Sequence, residues 1–143
     1  MVAALKFLRD TLNDDVALKE YAQNHWGKAL SVRITYRNRT EISLTDLPVV
    51  LITRPEVRPT DLVGSRKMEH RVRLYCGFHQ RDPEKAALEM VEFEDLLEDA
   101  VMKNRRQGGH ARYTAPAESA NDEGRNHPSY FIVKDFLVGT EKL

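Results

Sequence analysis

The longest periodic stretch of the chain runs from Asp82 to Arg106, DPEKAALEMVEFEDLLEDAVMKNRR, and it sets what the remainder must supply. Asp82 stands where a side-chain oxygen accepts from the first free helical amides, and Pro83 falls at the first helical position, where a missing N–H costs nothing. Ala86, Met90, Phe93, Leu97, Ala100 and Val101 recur at helical spacing and predict one apolar stripe. Glu84, Glu89, Glu92, Glu94, Asp95, Glu98 and Asp99 fill the other faces. Lys103, Arg105 and Arg106 close the helix at the negative end of its dipole, and Gly108 and Gly109 stop it. A helix with one apolar face needs a surface to cover.

Alternating segments on both sides provide one. Val2 to Leu12 reads as a short amphipathic helix, with Leu5, Leu8 and Leu12 on one face. Val16 to Trp26 reads as a second helix that turns Val16, Tyr21 and Ala22 inward and ends at Gly27. In SVRITYR, Val32, Ile34 and Tyr36 alternate with polar neighbours, the pattern of a half-buried strand. The run from Pro48 to Thr53 is apolar and rich in β-branched residues, as in a central strand. Arg54 to Ser65 contains Pro55, Pro59 and Gly64 and reads as a loop. From His70 to Phe78, Val72, Leu74, Cys76 and Phe78 face one way and Arg71, Arg73 and Tyr75 the other. Residues 107–128 carry Gly, Ala, Ser and Asn without a period and read as a long mobile loop. SYFIVKDFLV, residues 129–138, is a closing strand.

The expected fold class is α+β in one domain, residues 1–143. Its order is α-α-β-β-β-α-β, with a mainly antiparallel or mixed sheet of about four strands and helices packed on one face. The open face of that sheet should carry Arg33, Arg37, Arg71 and Arg73. The long helix should present Glu94, Glu98 and Asp99 outward. These seven residues are the candidate subunit or partner interface.

Several chemistries find no support in the sequence. Twenty-two basic and 22 acidic residues cancel, so there is no overall attraction to nucleic acid or to a membrane surface. One cysteine, Cys76, excludes an intrachain disulfide, and its place among apolar strand positions marks it as buried and inert. His25, His70, His79, His110 and His127 show no zinc-ligand spacing. No nucleophile-elbow, dinucleotide or P-loop motif occurs. The first dozen residues lack the basic start of a secretory signal, and no apolar run nears the roughly 20 residues of a membrane span. No catalytic residue, cofactor, metal or small-molecule substrate is assigned, and the protein is read as a non-enzyme.

Four stretches, VAALKFLRDTL, LPVVLITRPEVRPTD, RLYCGFHQRDPEKAALEMVEFEDLLEDAVM and SYFIVKDFLV, together with the segment order, resemble the tail terminator (tail completion) proteins of long-tailed bacteriophages and prophages. The resemblance implies an α+β subunit that forms a homo-hexameric ring. Such a ring caps the tail tube, stops its polymerisation and offers a head-joining surface. The implied partners are other copies of the chain, the tail tube protein and a head-completion or connector protein. The implied location is the bacterial host cytoplasm during assembly, then the virion tail. Two other readings compete. One is a nucleic-acid-binding module using the arginine-rich open sheet face, in which Tyr75 is the one obvious stacking residue. The other is a small enzyme holding a metal on the helix carboxylates.

Overall fold

A computed structural model describes residues 1–36, 42–60 and 66–141. Three helices, α1 (Val2–Asp14), α2 (Val16–Trp26) and α3 (Pro83–Met102), cover one face of a five-stranded sheet. The strands are β1 (Ser31–Ile34), β2 (Val49–Pro59), β3 (Lys67–His79), β4 (Tyr113–Asn121) and β5 (Ser129–Glu141). Their spatial order is β1-β2-β3-β5-β4. β1 runs parallel to β2 and every other pairing is antiparallel, so the sheet is mixed and the class is α+β.

α3 forms where its sequence signals place it. The Asp82 carboxylate accepts from the amides of Glu84 and Lys85, with Pro83 in the first turn. The helix stops at Met102, four residues before Arg106, and residues 103–106 continue as turns. Asp15 caps α2 through the Leu18 amide, and Gly27 ends it in the left-handed conformation at φ 67°, which glycine adopts without a Cβ penalty.

The core lies between helices and sheet. Ala86, Phe93, Leu97 and Ala100 of α3 and Leu8 and Leu12 of α1 meet Val50, Ile52, Val72, Leu74, Cys76, Phe78, Ile132, Phe136 and Val138. The Trp26 ring stacks on Phe78 at 4.7 Å between centroids and meets Phe93 edge-on at 5.1 Å. A second, smaller cluster of Leu47, Val49 and Leu51, with Tyr75 and Phe131 against it, occupies part of the opposite sheet face. That face is therefore not uniformly polar.

The structure corrects several expectations. Residues 107–128, expected as a loop, contain β4 at the edge of the sheet. β4 pairs with β5 on one side only, and its ladder shifts register between Pro116 and Ser119. An edge position tolerates Pro116 and an exposed run of small residues, which removes the alternation a strand usually shows. β2 likewise extends to Pro59 through the segment expected as loop. The register shift between Thr53 and Glu56 surrounds Pro55, so its missing N–H interrupts no regular pairing. Of the alternating Val32, Ile34 and Tyr36, only Val32 turns inward; Ile34 is 38% and Tyr36 78% exposed. Val16, expected inside, is also exposed.

Candidate assembly surface

The strand arginines do face away from the helices, as their alternation requires, but they are not free. β3 and β5 pair Arg73 directly with Asp135. The Asp135 carboxylate accepts from Arg73 Nε at 2.8 Å, from Arg73 Nη2 at 3.0 Å and from Arg71 Nη1 at 2.9 Å. Arg71 also lies 3.6 Å from Glu56. Asp135 is 3% exposed. Burial alone would raise its pKa, but the hydrogen bonds and charges of Arg73 and Arg71 outweigh burial and hold it below the ordinary carboxylate value. Arg33 is exposed, with its Nε donating to Ser31 Oγ at 3.0 Å. Arg37 lies outside the described residues.

The helix acids divide in the same way. Lys134 projects from β5 on the helix side, in phase with buried Ile132 and Phe136, and is itself 5% exposed. Its ammonium reaches Glu98 at 3.1 Å and Glu94 at 3.3 Å. Glu94 and Glu98 thus fasten α3 to the sheet of their own chain rather than standing free. Asp99 remains exposed. Glu89, expected on the outer face, is 3% exposed; its carboxylate bonds His25 Nδ1 and Gln80 Nε2, each at 2.8 Å. Within one chain the six described candidate interface residues fall into three groups. Arg71 and Arg73 close a charge cluster on the open sheet face, Glu94 and Glu98 close another at the seam between helix and sheet, and Arg33 and Asp99 remain solvent-facing.

α3 carries two further surface features. Glu84, Leu88, Val91, Asp95 and Asp99 follow one another at three- and four-residue steps and form a single outward stripe. All five are exposed, with Leu88 at 58% and Val91 at 60%. Beside this stripe, Ala87, Met90 and Val91 share an apolar groove of about 560 Å³ with the turn that joins β4 to β5.

Beyond the other end of the helix, Lys103, Arg105, Arg106 and Arg112 line a depression of about 570 Å³ with Gly108, Gly109 and Tyr113. All four cations are exposed. Lys103 is 3.9 Å from Asp15 and Arg112 is 3.8 Å from Glu141, both at the limit of pairing. Arg105 and Arg106 have no ion-pair partner among the described residues. The segment that carries them is held firmly. Thr114 Oγ1 donates to the Arg105 carbonyl at 2.6 Å, the Ala111 amide to the Arg106 carbonyl at 2.8 Å, and the Arg112 amide to the Gly139 carbonyl at 2.7 Å. Gly108, at φ 67°, passes against the Phe7 ring so closely that an added Cβ would sit 2.6 Å from it.

Cys76 is buried, and burial pushes its thiol above the ordinary range. Among the described residues no cluster of His, Cys, Asp and Glu is arranged to hold a metal ion. No described helix is long and apolar enough to cross a membrane.

No protein-family model matches the chain, and no curated protein matches it by sequence. Among solved structures, a chain of the virion of a native gene transfer agent particle superposes with a TM-score of 0.56 at 10% sequence identity. The alignment covers 94% of this chain and 92% of the other. At that identity the likeness is one of fold, and it spans nearly the whole of both chains.

Proposed function

We propose that this protein is a structural component of a phage-like virion. In the finer form, it is a tail terminator that closes into a hexameric ring on the end of the tail tube, stops tube polymerisation and presents a head-joining surface. The observation that supports this reading is the fold shared over nearly the full length of both chains with a component of a gene transfer agent virion. The distribution of charge agrees with it. A zero formal net charge limits self-repulsion when copies crowd into an assembly, while separated acidic and basic patches on one chain favour contacts between unlike surfaces of neighbours. The expected partners are further copies of the chain, a tail tube protein and a head-completion or connector protein, met in the host cytoplasm during assembly and retained in the virion tail.

The nucleic-acid reading of the open sheet face loses ground, because Arg71 and Arg73 are already bonded to Asp135. The reading of the helix acids as a metal site loses ground too, because Glu94 and Glu98 hold Lys134.

The capping function is tested by letting tail tube protein polymerise with and without this protein and measuring tube lengths by electron microscopy. Shorter tubes with a ring at one end are expected. Unchanged lengths, with no protein bound at the ends, would remove the terminator reading.

A further inference from the structure

α3 bears the acidic stripe along its exposed side and leads into the basic depression at its C-terminal end, and one copy cannot bring the middle of that stripe to its own depression. At 1.5 Å rise per residue, Val91 lies roughly 18 Å along the axis from Lys103. Yet the two surfaces are complementary. The stripe offers the carboxylates of Glu84, Asp95 and Asp99 around the exposed Leu88 and Val91. The depression offers Lys103, Arg105, Arg106 and Arg112, with Tyr113 at its wall still 37% exposed. Arginine suits such a contact because its planar donors match a carboxylate in pairs.

We propose that the basic depression of one copy receives the stripe Glu84, Leu88, Val91, Asp95 and Asp99 of α3 from a second copy of this chain. The proposal rests on the assembly reading above and names the contact that would build it. A protein partner fits better than a nucleic acid for two reasons. Domains that bind nucleic acid through phosphate neutralisation are commonly basic overall, whereas the 22 cations here are matched by 22 anions. The complement also includes apolar side chains, and two large ones stand exposed in the middle of the stripe. Because the two surfaces differ, each copy gives one and receives the other. Such a contact closes as a ring, or as a reciprocal pair, where the rotation between copies allows it, and runs on as an open filament where it does not.

The test uses two charge-reversed proteins. One carries Arg105→Glu and Arg106→Glu; the other carries Glu84→Lys and Asp95→Lys. All four positions are exposed, so both proteins should keep the native circular dichroism spectrum. Sedimentation velocity of the native protein should show self-association that weakens as salt rises. Each reversed protein alone should associate at least tenfold more weakly. An equal mixture should recover association, since the unaltered stripe of the first meets the unaltered depression of the second and the two altered surfaces are again opposite in charge.

Normal association of the first reversed protein alone would overturn this contact and leave ring formation standing through another surface. Recovery in the mixture that stops at a pair would uphold the contact and remove the ring. Folded variants that fail alone and also fail together would overturn the contact. A labelled single-stranded DNA probe is titrated in parallel. DNA binding abolished by Arg105→Glu and Arg106→Glu, with self-association unaltered, would assign the depression to nucleic acid instead. A native protein that stays monomeric at every concentration would overturn both the contact and the ring.

Discussion

Arg73 holds Asp135 across directly paired positions of β3 and β5, with Nε and Nη2 of the guanidinium at 2.8 and 3.0 Å from the two carboxylate oxygens. Arg71 adds a third bond to the same carboxylate. Replacing the anion with Asp135→Ala leaves two half-exposed cations facing each other without it and should cost about 1–3 kcal/mol at neutral pH. The effect depends on pH. A carboxylate whose folded pKa is depressed contributes stability that is present above the unfolded value near pH 4 and is lost as pH falls through the folded value. In urea melts the gap between native protein and Asp135→Asn should therefore be full above about pH 4 and shrink below it. A gap that stays constant down to pH 2 would contradict this account.

Lys134 is a buried cation that fastens α3 to β5 through Glu94 and Glu98. Those two carboxylates keep partial access to water, with side-chain exposures of 26% and 39%, so they can rehydrate when the lysine is removed. Lys134→Met should accordingly change stability by less than about 1 kcal/mol. Lys134→Glu buries a third carboxylate beside the first two and should cost about 3–5 kcal/mol. Equal losses for the two substitutions in denaturant melts would show that the ion cluster is not what matters at this position.

His70 is 4% exposed and bonded on both ring nitrogens, with Arg54 Nη1 at 3.3 Å and Thr140 Oγ1 at 2.7 Å. The neutral ring satisfies both contacts, accepting from Arg54 at Nδ1 and donating from Nε2 to Thr140. Burial first, and then the charge of Arg54, lower its pKa to about 4. Between that value and the unfolded value near 6.5, the unfolded chain binds the proton that the folded chain refuses. Stability should thus fall as pH drops from about 6.5 to 4, and His70→Asn should flatten this part of the profile. An unchanged slope in the variant would assign the acid sensitivity elsewhere.

Leu97 is fully buried in the middle of the α3 stripe. Leu97→Ala should cost about 2–5 kcal/mol through lost apolar transfer and the cavity left behind. A loss below about 1 kcal/mol in urea melts would mean that the helix is rotated from the phase described.

The stripe of α3, the cap at Asp82 and the alternation of β3 were legible because local spacing alone determines them. β4 was not, since an edge strand of small, exposed residues around Pro116 leaves no periodic trace. The buried charges were legible in part. Glu89 lies three residues after Ala86 and four before Phe93, on the apolar stripe, and Lys134 alternates in phase with Ile132 and Phe136. Both phases mark burial, but only the tertiary pairings with His25 and with Glu94 and Glu98 explain how the charge is tolerated. Alternation also gave the face of Arg71 and Arg73. It could not give Asp135, whose position opposite Arg73 depends on the register between β3 and β5. Lys103, Arg105 and Arg106 are neighbours in the sequence, but only the turn after α3 brings Arg112 beside them, an arrangement without a sequence motif.

Self-assembly into a closed ring is the central claim, and native mass spectrometry across a wide concentration range tests it most directly. The account predicts one dominant assembly of six chains that persists on dilution and gives way to single chains as salt rises. A protein that remains a single chain throughout, or that grows into open polymers without a preferred size, would contradict it.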